Sequence, residues 1–544
     1  GVHNARGLTW VSNLACRIAA YVTAVCVAGP YVYHVARGSR AFLGLLEDDY
    51  YYYAIIADKL VTYGKLTFDG STLTNGFHPL WFGVICLLRI VCGRFGSAYY
   101  VGLALVFFVA MLATYELCRR FARALGAGPA LAPAIAVAYC MSIDRLFTMG
   151  MEVTIAVPLL LWFFVEALSD RPLTRRRAAR LGFIASLAIL ARLDVAIAVA
   201  LLLGAWVLFA RPALATVLRL LPPFCGAAVL LPIYAAANYL SFGTVLPVSA
   251  LAKRLVTRSG FDFDYLTTVF FKSVFGPTAG VLVPLGVLAL ALNLRRDPGA
   301  RSSAHAVGAV AMAFAFVFFG LNAMSGWTLF GWYAYPLVPA TIAALVFVAR
   351  ELAHHVRDPR LQTAVVGVVV IVTPARALRY FGHHGPLWSL ADNALVASSA
   401  DLADRMKGRD GVYSMGAIAG VATYMMDKPV VQLEGLVADR AMVEHLRHQD
   451  PLDQVLRAYN VDYLVISLAY EEPARHDGCY VVSQPNPKWA GPRVATMRAE
   501  ICSEPLEHFF TPAGGNSWSV FPRIETLVFD VRHALWRPAS RPAT

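Results

Sequence analysis

Residues 47–81 read EDDYYYYAIIADKLVTYGKLTFDGSTLTNGFHPLW. Two adjacent carboxylates, Asp48 and Asp49, open the stretch directly after an apolar segment long enough to cross a bilayer. Four tyrosines follow, and a polar, glycine-containing loop ends in His78-Pro79-Leu80-Trp81. Ionised side chains at a membrane edge are costly, so an acidic pair there marks a functional site by default. Its meaning depends on which side of the membrane it faces.

The rest of the chain supplies that membrane. Of 544 residues, 58% are hydrophobic and only 15% charged, and the mean hydropathy is +0.57. A soluble domain of that composition would have an apolar surface. Apolar runs approaching the ~20 residues that cross a bilayer recur from residue 11 to about residue 380, which makes this a polytopic membrane protein. The net charge of +12 does not point to nucleic acid, because the arginines cluster between the apolar runs, as positive-inside topology requires.

Placing the clusters Arg119-Arg120-Arg123, Arg171 to Arg180, Arg211, Arg295 to Arg301 and Arg350 to Arg360 in the cytoplasm gives spans near 11–33, 98–118, 129–148, 153–169, 181–193, 195–210, 214–240, 277–294, 305–322, 333–350 and 362–380. That predicts about 11 transmembrane helices, the N-terminus inside and the C-terminus outside. No small-residue cleavage pattern follows the first apolar run, which predicts a retained span. Residues 80–93 are short and carry Arg89. They are read as a helix on or dipping into the outer face, so that 34–97 forms one external loop.

In this scheme Asp48-Asp49, Gly150-Met151-Glu152, Arg192-Leu193-Asp194, the 241–276 loop and Ser325 to Trp332 all fall at external helix ends. The segments flanking Arg192 are too short for ordinary spans, and broken helices around a charged pair suggest a water-filled cavity. From about residue 385 the pattern changes. GVYSM, PVVQL and VDYLVIS are strand-like, with helix-like segments at 416–426 and 438–459. The expected organisation is a membrane domain, 1–384, and a small α/β extracytoplasmic domain, 385–544. Seven of the nine cysteines lie in or beside apolar runs. Cys479 and Cys502 lie in the polar C-terminal part, where a disulfide between them is left open.

An external acid pair beside such a cavity allows three readings: acid/base chemistry on a lipid-borne substrate, secondary transport, or mere solvation of a helix end. The motifs favour the first. Asp48-Asp49 with Tyr50 to Tyr53, the closing His78-Pro79-Leu80-Trp81, Gly150-Met151-Glu152, Ala191-Arg192-Leu193-Asp194, Phe242 to Pro247 with Lys253, and Trp332-Tyr333 resemble the motifs of the GT-C membrane glycosyltransferases. The bacterial branch is the one resembled, with protein mannosyltransferases, aminoarabinose transferases and mycobacterial arabinofuranosyltransferases. The resemblance covers roughly 8–380 and, more faintly, 411–467. Many relatives carry Lys where His78 stands.

The resemblance implies an integral enzyme of the bacterial plasma membrane. It would transfer a sugar from a polyprenyl-monophosphate donor to a glycan, lipid or protein acceptor on the extracytoplasmic face, with inversion. Asp48 would be the general base and Asp49 its neighbour that orients acceptor or tunes the pair. Expected substrate contacts are Tyr51 and Tyr53 for the sugar, His78, Lys253 and Arg254 for phosphate, Glu152 for hydroxyls, Arg192 and Asp194 for the cavity, and Trp332 and Tyr333 for prenyl chain or sugar. Interfacial aromatics, headgroup binding and local ion pairing are the alternatives for these residues. Glu434 and Asp439 read as loop and capping residues. No cofactor is required, although a divalent cation is compatible. Transfer of a lipid-linked oligosaccharide is the alternative within the class, and lipid or sugar transport the alternative outside it.

Overall fold

The computed structural model describes residues 2–168, 173–210, 212–272, 276–296, 303–328, 330–355, 394–468, 474–512 and 523–537. The helical part begins with α1 (Val2–Ala36), α2 (Asp48–Tyr63), α3 (Pro79–Cys92), α4 (Ser97–Ala124), α5 (Leu131–Thr148) and α6 (Val153–Ala167). It continues with α7 (Arg175–Ala191), α8 (Ala196–Ala205), α9 (Leu214–Ala227), α10 (Leu230–Phe242), α11 (Val248–Ala252) and α12 (Phe263–Thr267). The last three are α13 (Gly276–Arg296), α14 (Ser303–Ser325) and α15 (Leu337–His355). Among the described residues, five helices are long and apolar enough to cross a membrane, and a sixth span results if α9 and α10, bent by 53°, count as one. The protein is a multi-pass membrane protein. Helices occupy ten of the eleven expected spans, and the eleventh, 362–380, lies outside the described residues, as does the expected domain boundary at 384/385.

Two local features shape the surface around α2 and α7. Residues 79–92 do form a short helix, α3, whose Leu87, Ile90 and Val91 face outward. Its Arg89 is neutralised by Asp58 of α2 at 2.7 Å. At Arg192 the chain leaves the helix: α7 stops at Ala191, Arg192 is extended, and a single 3-10 turn (Leu193–Val195) leads into α8. The polar backbone released by such a break is tolerable at membrane depth only where it lines a cavity or is buried in protein.

After α16 (Ala394–Arg405), the C-terminal part builds two sheets. The strands are β1 (Tyr413–Met415), β2 (Val430–Gln432), β3 (Tyr463–Leu468), β4 (Arg475–His476), β5 (Cys479–Gln484), β6 (Met497–Ile501), β7 (Glu507–Pro512), β8 (Arg523–Asp530) and β9 (Trp536–Arg537). The first sheet has the order β2-β1-β3-β8-β7; β1 is parallel to β2 and β3, whereas β8 and β7 are antiparallel. The second, antiparallel, sheet has the order β4-β5-β6-β9. The three strand-like segments read from the sequence are β1, β2 and β3. Helix α17 (Ala419–Met426) follows β1, and the expected 438–459 helix is split in two, Arg440–His448 and Leu452–Ala458, by Pro451. Cys479 and Cys502 form a disulfide at the end of the β5/β6 pair.

The C-terminal part is packed onto the helical part through one continuous apolar core that includes Tyr51, Trp81, Tyr413 and Val430. Three glycines permit backbone-close contact between the two. A Cβ on Gly76 would meet the Leu436 carbonyl at 1.9 Å, one on Gly420 the Asp48 carbonyl at 2.3 Å, and one on Gly491 the Gly326 carbonyl at 2.1 Å.

Candidate active site

Helix α2 begins with its two acids in the first turn, where the helix dipole favours negative charge. Successive side chains project about 100° apart, so the two acids face different neighbours. Asp49, Tyr52 and Tyr53, at i, i+3 and i+4, share one face, and all three line a cleft of about 50 Å³ that opens to solvent. Asp48 points toward α17: its Oδ1 accepts the Val421 N–H at 2.7 Å and its Oδ2 the Gly420 N–H at 3.3 Å.

The tyrosines divide the same way. Tyr50 hydrogen-bonds the Tyr99 hydroxyl at 2.8 Å, and Tyr51 donates to the Leu43 carbonyl at 2.8 Å while packing on Tyr424. Tyr51, expected to touch the sugar, is a packing residue away from the cleft; Tyr52 takes the place expected of it. Tyr53 reaches the cleft, donates to Glu152 Oε2 at 3.3 Å and accepts the His78 N–H at 3.4 Å.

The motif His78-Pro79-Leu80-Trp81 starts α3, with Pro79 in the first turn, where a missing N–H costs nothing. Trp81 is fully buried and its Nε1 donates to the Gly150 carbonyl at 2.9 Å. Gly150 stands at φ +75°, and a Cβ there would lie 2.6 Å from the Tyr50 ring. Only glycine fits this turn, which aims Met151 and Glu152 into the cleft.

Glu152 is held by Arg192, whose Nη1 donates to Oε1 at 2.7 Å. Arg192 is further clamped by Asp194, to which it donates from Nε at 3.1 Å and from Nη2 at 3.0 Å. Tyr335 donates to Asp194 Oδ1 at 2.6 Å, and the guanidinium lies over the Tyr333 and Tyr335 rings at 4.8 and 4.7 Å. Asp194 therefore orients Arg192 and does not itself line the cleft. His78 lines it 3.8 Å from Glu152. Burial, opposed by Glu152 and reinforced by Arg192 and Lys253, pushes His78 below its ordinary value, so it is neutral at pH 7. A neutral imidazole is a weaker phosphate ligand than a lysine ammonium.

The opposite wall comes from the 241–276 loop. Asn75, buried beside Gly76, accepts the Val248 N–H at 3.0 Å and so ties α11 to the segment between α2 and α3. Ser249 and Lys253, one turn apart, face the cleft. Lys253 Nζ donates to the Tyr333 hydroxyl at 2.8 Å and stands over the Trp327 and Tyr333 rings. Burial alone would lower its pKa, but Tyr333 and Asp49 outweigh burial and hold it above the ordinary lysine value. Arg254, expected to contact phosphate, is exposed and does not line the cleft. Trp332 and Tyr333 line the cleft beside Lys253.

The C-terminal part closes the cleft with Leu436 and Val437, which were not legible as site residues. Glu434, two residues earlier, is buried and receives the Gln432 Nε2–H at 3.2 Å. Burial, with Asp49 and Asp48 nearby, pushes it up to about 8. Asp49 is likewise pushed up to about 7, by burial first and then by Asp48, Glu152 and Glu47, against the pull of Lys253. Asp48 rises to about 6: burial dominates, and the Val421 amide, a hydrogen bond from the Tyr52 hydroxyl and the Gly420 amide hold it down. The cleft thus presents a carboxylate that exchanges its proton near neutral pH, facing an ammonium that stays charged. Among the described residues, no group of three or more His, Cys, Asp or Glu side chains is gathered so as to hold a metal ion.

No protein-family model matches the chain, and no curated protein matches it. Solved structures do. The chain is similar to ArnT from Cupriavidus metallidurans bound to undecaprenyl phosphate, at 13% identity and a TM-score of 0.51, covering 96% of this chain and 98% of that one. The apo state of the same ArnT gives 14% identity and a TM-score of 0.49, over 90% and 95% of the two chains. The Archaeoglobus fulgidus oligosaccharyltransferase in its apo form gives 12% and 0.48, over 84% of this chain and 69% of that one. With 96% of the chain covered by the match to ArnT, the chain has the GT-C fold.

Proposed function

We propose that the protein is a membrane glycosyltransferase that moves one sugar from a polyprenyl-monophosphate carrier to a hydroxyl acceptor on the extracytoplasmic side of a bacterial plasma membrane. The observation that carries this reading is that Asp49 and Lys253 line one cleft and act on each other's charge, in a fold of which a solved example holds undecaprenyl phosphate. The Cys479–Cys502 disulfide supports an oxidising compartment for the C-terminal part.

In this reading Asp49, rather than Asp48, accepts the proton of the acceptor hydroxyl. The acceptor oxygen attacks the anomeric carbon as the bond from that carbon to the phosphate oxygen breaks, and the sugar is transferred with inversion. The polyprenyl phosphate leaves as an anion, and the Lys253 ammonium stabilises the charge that develops on it. Glu152, fixed by Arg192 and Tyr53, holds sugar or acceptor hydroxyls. Trp332 and Tyr333 pack on the apolar faces of the donor. His78 contributes a neutral hydrogen-bonding edge.

The test uses the purified protein in liposomes with polyprenyl-phosphate donors carrying one labelled hexose or one labelled pentose, and cell-envelope glycan as acceptor. Label should appear in the glycan with stoichiometric release of polyprenyl phosphate. Label that crosses the bilayer still attached to its lipid would instead mark a transporter and overturn the reading.

A further inference from the structure

Helix α17 has no cap of its own. Its N-cap position is Ile418, a β-branched residue held at φ +67° that makes no side-chain capping bond. The first N–H groups of a helix nevertheless need acceptors, especially when buried. They find them 372 and 373 residues away in sequence, on the Asp48 carboxylate. The contact is fitted on both sides. Gly420 has no room for a Cβ, because the Asp48 carbonyl already stands 2.3 Å from where it would be. One turn further on, the Tyr424 hydroxyl hydrogen-bonds Tyr100 at 2.6 Å, and its ring packs against Tyr51 and Phe95. At the end of α17, Asp427 pairs with Arg94 at 2.8 Å.

The consequence for the site stems from helix geometry. Fixing Asp48 against α17 fixes the rotation of the first turn of α2, and that rotation is what turns Asp49 toward Lys253. We propose that α17 is a positioning element of the reaction: the Gly420 and Val421 amides hold Asp48 out of the cleft so that Asp49 alone faces the acceptor. The C-terminal part then completes the active site and does not serve merely as an attached acceptor-binding module. The proposal rests on the glycosyltransferase reading with Asp49 as base.

Two variants disturb the contact in different ways. Gly420→Ala wedges α17 away from Asp48. Val421→Pro deletes the closer of the two amide donors at a first-turn position, where the helix's own bonding does not use that N–H. The double variant Cys479→Ser/Cys502→Ser loosens the second sheet without touching α17 and controls for a general loss of domain stability. Each is assayed as full-length protein in liposomes with the same labelled donors, with kcat, donor KM and Tm measured together.

Both α17 variants should lose tenfold or more in kcat with donor KM changed less than twofold. The cysteine variant should lose Tm with kcat changed less than twofold. Wild-type-like kcat in Gly420→Ala and Val421→Pro, with wild type active and Asp49→Asn inactive, would overturn the positioning role while leaving the function intact. Equal losses of kcat in the cysteine variant at matched Tm would also overturn it. An inactive wild type would instead count against the function itself.

Discussion

Replacing Asp49 by asparagine removes the cleft's proton acceptor at almost constant shape. General-base catalysis contributes roughly 10²–10⁴-fold to a rate, about 3–5 kcal/mol of barrier. The contact proposed between Lys253 and the donor phosphate remains, so donor KM should change little. The wild-type rate should rise with pH and level off above about 7, the value to which burial and the neighbouring acids push Asp49.

Stability should move the opposite way. The folded protein binds the Asp49 proton more tightly than the unfolded chain, so this group's stabilising contribution is present below about pH 4 and lost as pH rises through about 7. A rise from 3.8 to about 7 corresponds to at most about 4 kcal/mol, reduced here because the cleft is open to water. Asp49→Asn, uncharged throughout, should therefore melt higher than wild type at pH 8 and at a similar temperature at pH 4. Single-turnover transfer from labelled donor and thermal unfolding in detergent at the two pH values measure both effects. An Asp49→Asn variant that keeps more than a tenth of the wild-type rate would refute Asp49 as the base, as would an Asp48→Asn variant that is damaged more. Melting below wild type at pH 8 would refute the electrostatic account of the buried acid.

Lys253→Ala should lower kcat tenfold or more and raise donor KM, with Lys253→Arg recovering part of the loss, in the same transfer assay. Arg192→Ala leaves Glu152 and Asp194 without their shared cation and should cost about 3–5 kcal/mol, read as a fall in the unfolding temperature together with loss of transfer. Gly150→Ala forces a Cβ into the Tyr50 ring at a left-handed position and should destabilise the protein by roughly 2 kcal/mol or more, measured by the same unfolding assay. Tyr51→Phe should lower stability by about 1 kcal/mol with unchanged kinetics, whereas Tyr52→Phe should alter kcat or KM.

Much of the site was legible because its residues carry charge in apolar surroundings. Glu152, Arg192 and Lys253 stand out against 58% hydrophobic composition, and each reaches the cleft. The break at Arg192 was readable from segment lengths alone, since neither flank is long enough for an ordinary span. The phase of α2 was partly readable too. Taking i, i+3 and i+4 from Asp49 selects Tyr52 and Tyr53, whereas the same step from Asp48 selects Tyr51 and Tyr52. The periodicity could not say which face meets the cleft.

Leu436, Val437 and Glu434 were not readable, because nothing local marks an apolar pair after a buried strand as the wall of a distant site. Asp194 and Arg254 show the converse: charge near the site is visible in sequence, but whether it faces the cleft, a partner or solvent is not. In the second sheet, β4 and β9 escaped because they are two residues each, too short for alternation to register.

The sequence by itself determined the membrane, the order of the helices, the strands β1 to β3 and several of the charged residues that line the cleft, because hydropathy and charge are properties of short segments. Only the tertiary structure decided which of two adjacent acids meets the cleft. That choice is made by the Gly420 and Val421 amides, 372 and 373 residues away in sequence, through hydrogen bonds that have no local signature.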